Sequence, residues 1–96
     1  MKVRFLSMAL EEMAEAAQYY EGQSKGLGEE FLQEVENGLG RITSFPFAWS
    51  KISEDLRHCN LRRFPFTLIY RVAGEETTIV SVFHQSRKPR SWKNRR

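Results

Sequence analysis

Ninety-six residues, 41% of them hydrophobic and 12% aromatic, set the scale: one domain, 1–96, that buries about two-thirds of its unfolded surface and is too apolar for a disordered chain. A single cysteine, Cys59, excludes an internal disulfide and any zinc site built from cysteines alone. No stretch is long and apolar enough to cross a bilayer, since Glu11 and Glu12 interrupt the N-terminal apolar run, so a soluble cytoplasmic protein is expected.

The net charge of +3 conceals two unlike halves. Residues 1–55 carry ten acids and five bases, a balance of −5, whereas residues 56–96 carry two acids and ten bases, a balance of +8. Such a chain presents a positive face to a polyanion or to an acidic protein.

In chain order, "MKVRFL" (1–6) alternates Val3 and Phe5 with Lys2 and Arg4 and predicts a short strand. Ser7 is placed to cap a helix over 8–22, whose apolar stripe is Leu6, Leu10, Met13, Ala17 and Tyr20. "GQSKGLG" (22–28) supplies loop glycines. A second helix follows through Phe31, Val35, Leu39 and Ile42 and stops at Pro46; Gly38 and Gly40 weaken it by roughly 1 kcal/mol each relative to Ala. These two helices form a hairpin. After an irregular stretch carrying Trp49, the period changes. Phe64, Phe66, Leu68, Tyr70 and Val72 alternate with Pro65, Thr67, Ile69 and Arg71, and Pro65 marks a strand start, bulge or edge. Residues 57–63 are a candidate for one more strand. "AGEE" (73–76) turns the chain into "TTIVSVFHQ", where alternation places Val80, Val82 and His84 on one face and Ile79, Ser81 and Phe83 on the other. The expected fold is α+β: β-α-α-β-β-β, a mostly antiparallel sheet with a helical hairpin on one face, its residues 93–96 frayed.

Three site signatures are missing: a phosphate-binding glycine loop, a metal-spaced His/Cys/carboxylate set, and a nucleophile elbow. No metal or cofactor is expected. The chemistry-bearing residues lie in the basic half. His84 ends a strand three residues before Arg87, with Arg90 and Trp92 beyond. An imidazole exchanges protons near neutral pH and guanidiniums stabilise a phosphorane, so the set is suited to metal-free RNA cleavage by the 2′-hydroxyl. The plain alternative makes His84 a strand-end anchor bonded to neighbouring backbone. His58 reads as structural, and Arg62, Arg63 and Arg71 as either a solvated sheet face or an anion site. Tyr70 reads as core. Trp49 and Trp92 are candidates to stack on bases or to cover the sheet edge. Glu12, Glu15, Glu29, Glu30, Glu34 and Glu36 read as a solvated helix face.

As a set, these pieces resemble the RelE/ParE toxin superfamily over about residues 3–93. "EEMAEAAQYYEGQSKGLGEEFLQEVENGLGRITSFPFAW" is similar to its helical half, with YYE closing the first helix and Gly-Leu-Gly and Phe opening the second. "LRRFPFTLIYRVAGEETTIVSVFHQSRKPRSW" is similar to its sheet half, closing on His-x-x-Arg-x-Pro-x-x-Trp. The resemblance implies the toxin of a type II toxin–antitoxin pair, of the kind linked to plasmid stabilisation and growth inhibition, with a cognate antitoxin that covers its working face in a hetero-oligomer. ParE-like members inhibit DNA gyrase. RelE-like members cut mRNA on the ribosome, which here assigns Arg63 and Arg87 to the phosphate and His84 or a terminal aromatic to proton transfer. No Tyr or His follows Arg87, Trp92 is no proton donor, and Lys51 stands alone instead of in a lysine cluster. The expectation is therefore ParE-like, with Arg63, His84, Arg87, Arg90 and Trp92 contacting the target. A RelE-like nuclease and an inactive, antitoxin-binding member are the alternatives.

Overall fold

A computed structural model describes residues 2–87 of the chain. The order of elements is β1 (Lys2–Phe5), α1 (Ser7–Gln23), α2 (Leu27–Ser44), β2 (Arg57–Asn60), β3 (Phe66–Ala73) and β4 (Glu76–His84). The sheet runs β1-β4-β3-β2; β1 lies parallel to β4, and the other two pairings are antiparallel. The expected β-α-α-β-β-β order and helical hairpin are present.

Period-2 alternation in β3 sends Phe66, Leu68, Tyr70 and Val72 toward the helices, where they meet Ala9, Met13, Ala16, Tyr20, Phe31, Val35 and Ile42. Edge-to-face aromatic contacts knit this core: Tyr20 lies 4.8 Å from Phe64, and Phe31 lies 5.1 Å from Phe66. Tyr70 is fully buried, and its hydroxyl donates to the Pro46 carbonyl at 2.7 Å. Burial pushes its phenol up to about 12. A smaller cluster of Leu6, Leu56, Ile69, Val80 and Phe83 forms on the opposite face.

Three local expectations need correction. Ser7 is not the cap of α1: Leu6 occupies that position, without a side-chain cap, and Ser7 is the first helical residue. Leu10 turns outward, 47% exposed, while Ala9 and Ala16 are buried. The inward stripe is thus Ala9, Met13, Ala16 and Tyr20, with the same four-three-four rhythm, because small alanines let α1 lie close on the sheet. The strict alternation of β4 also fails. Tyr70 pairs with Ile79 and Ile69 with Ser81, which makes Val80 the extra residue of a bulge. This bulge puts Val80 with Phe83 on the far face, and Ile79 with Val82 on the helix face.

The tip of the helical hairpin is built on glycine. Gly26 has φ +88°, a conformation costly for other residues, and Gly28 lies so close to α1 that an added Cβ would stand 2.6 Å from the Ala17 carbonyl. Glu21 reaches across, its carboxylate accepting the Gly26 amide at 3.0 and 3.1 Å and the Gly28 amide at 3.0 Å. An anion at the start of α2 also complements the helix dipole. This gives a structural reason for YYE followed by Gly-Leu-Gly.

Candidate functional site

The bulge decides where His84 points. With Val80 looped out, His84 pairs with Phe66 and shares the helix side with Val82, at the open end of a cleft between α1 and β4. The cleft has a volume of about 400 Å³. Its floor is Ala16, Tyr20, Phe66 and Val82; Glu12, Glu15 and Tyr19 form one wall, and His84, Ser86 and Arg87 the other. An apolar floor with convergent polar groups is the usual form of a binding site.

His84 is held firmly. Its ring stands edge-on to Phe66, with centroids 4.9 Å apart and planes at 82°. The Ser86 amide donates to Nδ1 at 3.1 Å, and the Ser86 hydroxyl lies 2.7 Å from the same nitrogen. A backbone N–H only donates, so Nδ1 bears no proton, and the hydrogen-bond network assigns the proton of the neutral ring to Nε2. His84 therefore presents a hydrogen-bond donor to the cleft. Among the described residues, neither that nitrogen, the Arg87 guanidinium, nor the Tyr19 hydroxyl has a bonding partner. Tyr19 is 62% exposed. Burial, then the neighbouring Tyr19, holds the Tyr20 phenol above its ordinary value and so neutral.

Two members of the acidic stripe do more than face solvent. Glu12 Oε1 accepts the Ser81 hydroxyl and the Val82 amide, both at 3.0 Å. It thereby extends the hydrogen bonding of β4 beyond the end of β1, whose last register pair is Phe5 with Ile79. Glu34 is only 8% exposed and accepts the amides of Arg62 at 3.0 Å and Arg63 at 3.3 Å, and the Asn37 side chain at 3.3 Å. Burial raises the Glu34 carboxyl, but the Arg62 amide, Asn37 and the Arg63 amide outweigh it, aided by the Arg41 charge, and the group sits below its usual 4.5. Helical periodicity marks these positions as polar; only the long-range strand and loop partners show what their carboxylates bind.

The family model for the ParE toxin of type II toxin-antitoxin systems, parDE, matches residues 3–89. The chain belongs to the ParE toxin family. Among solved structures, the chromosomal ParDE toxin–antitoxin system of P. aeruginosa shares its fold, with a TM-score of 0.63 at 20% identity, covering 88% of this chain and 95% of that one. No curated protein sequence matches.

Within this ParE fold, His84 and Arg87 come together as the sequence suggested, and the fold adds Tyr19, Tyr20, Glu12 and Glu15 to them. The YYE segment signalled the tyrosines; nothing local signalled the carboxylates. Arg63 is placed elsewhere. Its guanidinium binds Glu30 at 2.7 Å and lies over the Phe64 ring, and it does not line the cleft. Arg90 and Trp92 lie outside the described residues. Trp49, a candidate for base stacking, is packed against the core with Nε1 3.4 Å from the Arg41 carbonyl. Among the described residues no His, Cys, Asp and Glu cluster is arranged to hold a metal ion, and no helix is long and apolar enough to cross a membrane.

Proposed function

We propose that this ParE-family toxin acts by binding DNA gyrase, in the cytoplasm, and that a cognate antitoxin neutralises it within a hetero-oligomer. The observation that carries the reading is the hydrogen bonding of His84, whose Nδ1 accepts from the Ser86 amide. A nuclease that activates a 2′-hydroxyl needs a general base with a free lone pair facing the substrate. Nδ1 accepts from the Ser86 amide, which in a neutral ring puts the proton on Nε2. The phosphate-binding pair is not assembled either, since Arg63 is bound to Glu30 while Arg87 lies in the cleft. Glu12 and Glu15 on the facing wall oppose a phosphodiester. A donor-rich, aromatic cleft of mixed charge suits a protein surface better than an RNA backbone.

The test is a supercoiling and cleavage-complex assay with purified gyrase and the chain freed of antitoxin. Trapped, linearised plasmid is the expected result. Unimpeded supercoiling by a folded chain that still arrests growth would overturn the reading, and mRNA cut within codons on ribosomes would replace it with the RelE-like one.

A further inference from the structure

A second groove, of about 720 Å³, lies along the C-terminal half of α2, lined by Gly40, Arg41, Phe45, Trp49 and Arg62 among others. It shares no lining residue with the His84 cleft. Its most informative residue is a glycine. Gly38, one half-turn earlier, has an internal reason to lack a side chain: an added Cβ would stand 2.9 Å from Leu68 Cδ1 and 3.1 Å from Leu61 Cδ2. Gly40 has none. A Cβ there would meet nothing within 4 Å, and among the described glycines only Gly26 and Gly74 have positive φ. Glycine weakens a helix interior relative to alanine, so its presence calls for another use. At this position it leaves bare backbone that a second chain is able to approach closely.

The surroundings point to what approaches. Phe45 is 67% exposed. The loop that carries it is fixed on three sides: Tyr70 donates to the Pro46 carbonyl at 2.7 Å, Arg57 donates to the carbonyls of Phe47 at 3.1 Å and Trp49 at 2.7 Å, and Trp49 donates back to Arg41. An aromatic ring displayed on a pre-ordered loop loses little entropy on binding. Beside it, the Arg62 guanidinium has no bond or ion pair among the described residues, and Arg41 donates to the Asn60 carbonyl. Glu34 faces inward to its amides, which leaves Glu36 as the outward anion of the lining.

We infer that this groove docks an acidic, aliphatic-rich segment of the antitoxin, its backbone passing Gly40, an apolar side chain seated against Phe45 and a carboxylate on Arg62. The assignment rests on the reading that an antitoxin neutralises the chain. It makes neutralisation separable from target inhibition, because the groove and the cleft are different surfaces.

The experiment uses the full chain and the purified antitoxin encoded with it. Gly40→Trp fills the groove from a position with no internal neighbour, so it is expected to melt no lower than the parent and to inhibit gyrase equally. Its antitoxin affinity is expected to fall at least about 30-fold. Gly40→Ala, which puts a methyl where the second chain's backbone passes, is expected to lose about tenfold, and Phe45→Ser and Arg62→Glu, both at the surface, each lose about tenfold or more. Parental antitoxin affinity in Gly40→Trp and Phe45→Ser overturns the docking site while neutralisation stands. Failure of the parent itself to bind antitoxin removes the neutralisation reading and the docking site with it. Dimerisation of the parent that Gly40→Trp abolishes, with antitoxin affinity unchanged, assigns the groove to a second copy and also overturns the inference.

Discussion

The tip of the helical hairpin and the end of β4 carry the two most conspicuous motifs of the chain, and they treat their polar atoms in opposite ways. At the tip, the Glu21 carboxylate binds the amides of Gly26 and Gly28, and Gly28 fits against Ala17 with no room for a side chain. At the end of β4, the Arg87 guanidinium, the Tyr19 hydroxyl and the outer nitrogen of His84 have no hydrogen-bond partner among the described residues. Several donors turned to solvent around one apolar floor are free to bond to something outside the fold. The YYE segment divides along this line: Glu21 serves the fold, Tyr20 joins the core to the cleft floor, and Tyr19 faces the cleft.

The sharpest way to break the comparison is at Gly28. Gly28→Ala forces a methyl into a backbone carbonyl and is expected to cost about 1–3 kcal/mol, read as a lower urea midpoint with an unchanged slope. The same change at Gly40, where the space is open, is expected to stabilise by about 1 kcal/mol. Equal effects of the two changes would mean that the hairpin is not closely packed at its tip.

Glu34→Ala comes next, at about 1–3 kcal/mol at neutral pH, because it strands the amides of Arg62 and Arg63. The Glu34 carboxyl is held below 4.5 in the folded chain, so its contribution is present above that pH and is lost as pH falls through the lower folded value. Urea midpoints of parent and Glu34→Gln should therefore converge in acid. A gap that persists at low pH would show that Glu34 acts through packing and not through charge. Tyr70→Phe is smaller, about 1 kcal/mol for its bond to Pro46. Here the folded value is raised to about 12 from 10, so that stabilisation is complete below pH 10 and declines as pH rises toward 12. Alkaline unfolding of the parent, but not of Tyr70→Phe, should steepen across that window.

Element order, strand faces in β3 and the pairing of the helices were legible because apolar periodicity reports burial directly. Ser7, Leu10 and Val80 were not. The first depends on where the backbone enters α1, the second on a one-residue rotation that small alanines permit, and the third on a bulge that alternation does not reveal. His84 and Arg87 were legible as a motif, but their company was not: Glu12 reaches β4 across about seventy residues of sequence, and Glu34 reaches the Arg62–Arg63 turn across about thirty, separations to which local patterns are blind.

The smallest effect on folding is expected at Arg87, and it discriminates best between the two regions. Its guanidinium bonds to nothing among the described residues, so Arg87→Gln should change unfolding free energy by no more than about 0.5 kcal/mol. The same change removes the one cation lining the described cleft and should weaken gyrase inhibition by about tenfold or more, measured as the concentration that halves supercoiling. Glu21→Gln provides the opposite case: it weakens an ionic cap by about 0.5–1 kcal/mol and, because Glu21 does not line the cleft, leaves inhibition by the folded fraction intact. A crossed result, with Arg87 needed for stability and Glu21 for inhibition, would mean that unsatisfied polar atoms do not mark the working surface of this fold.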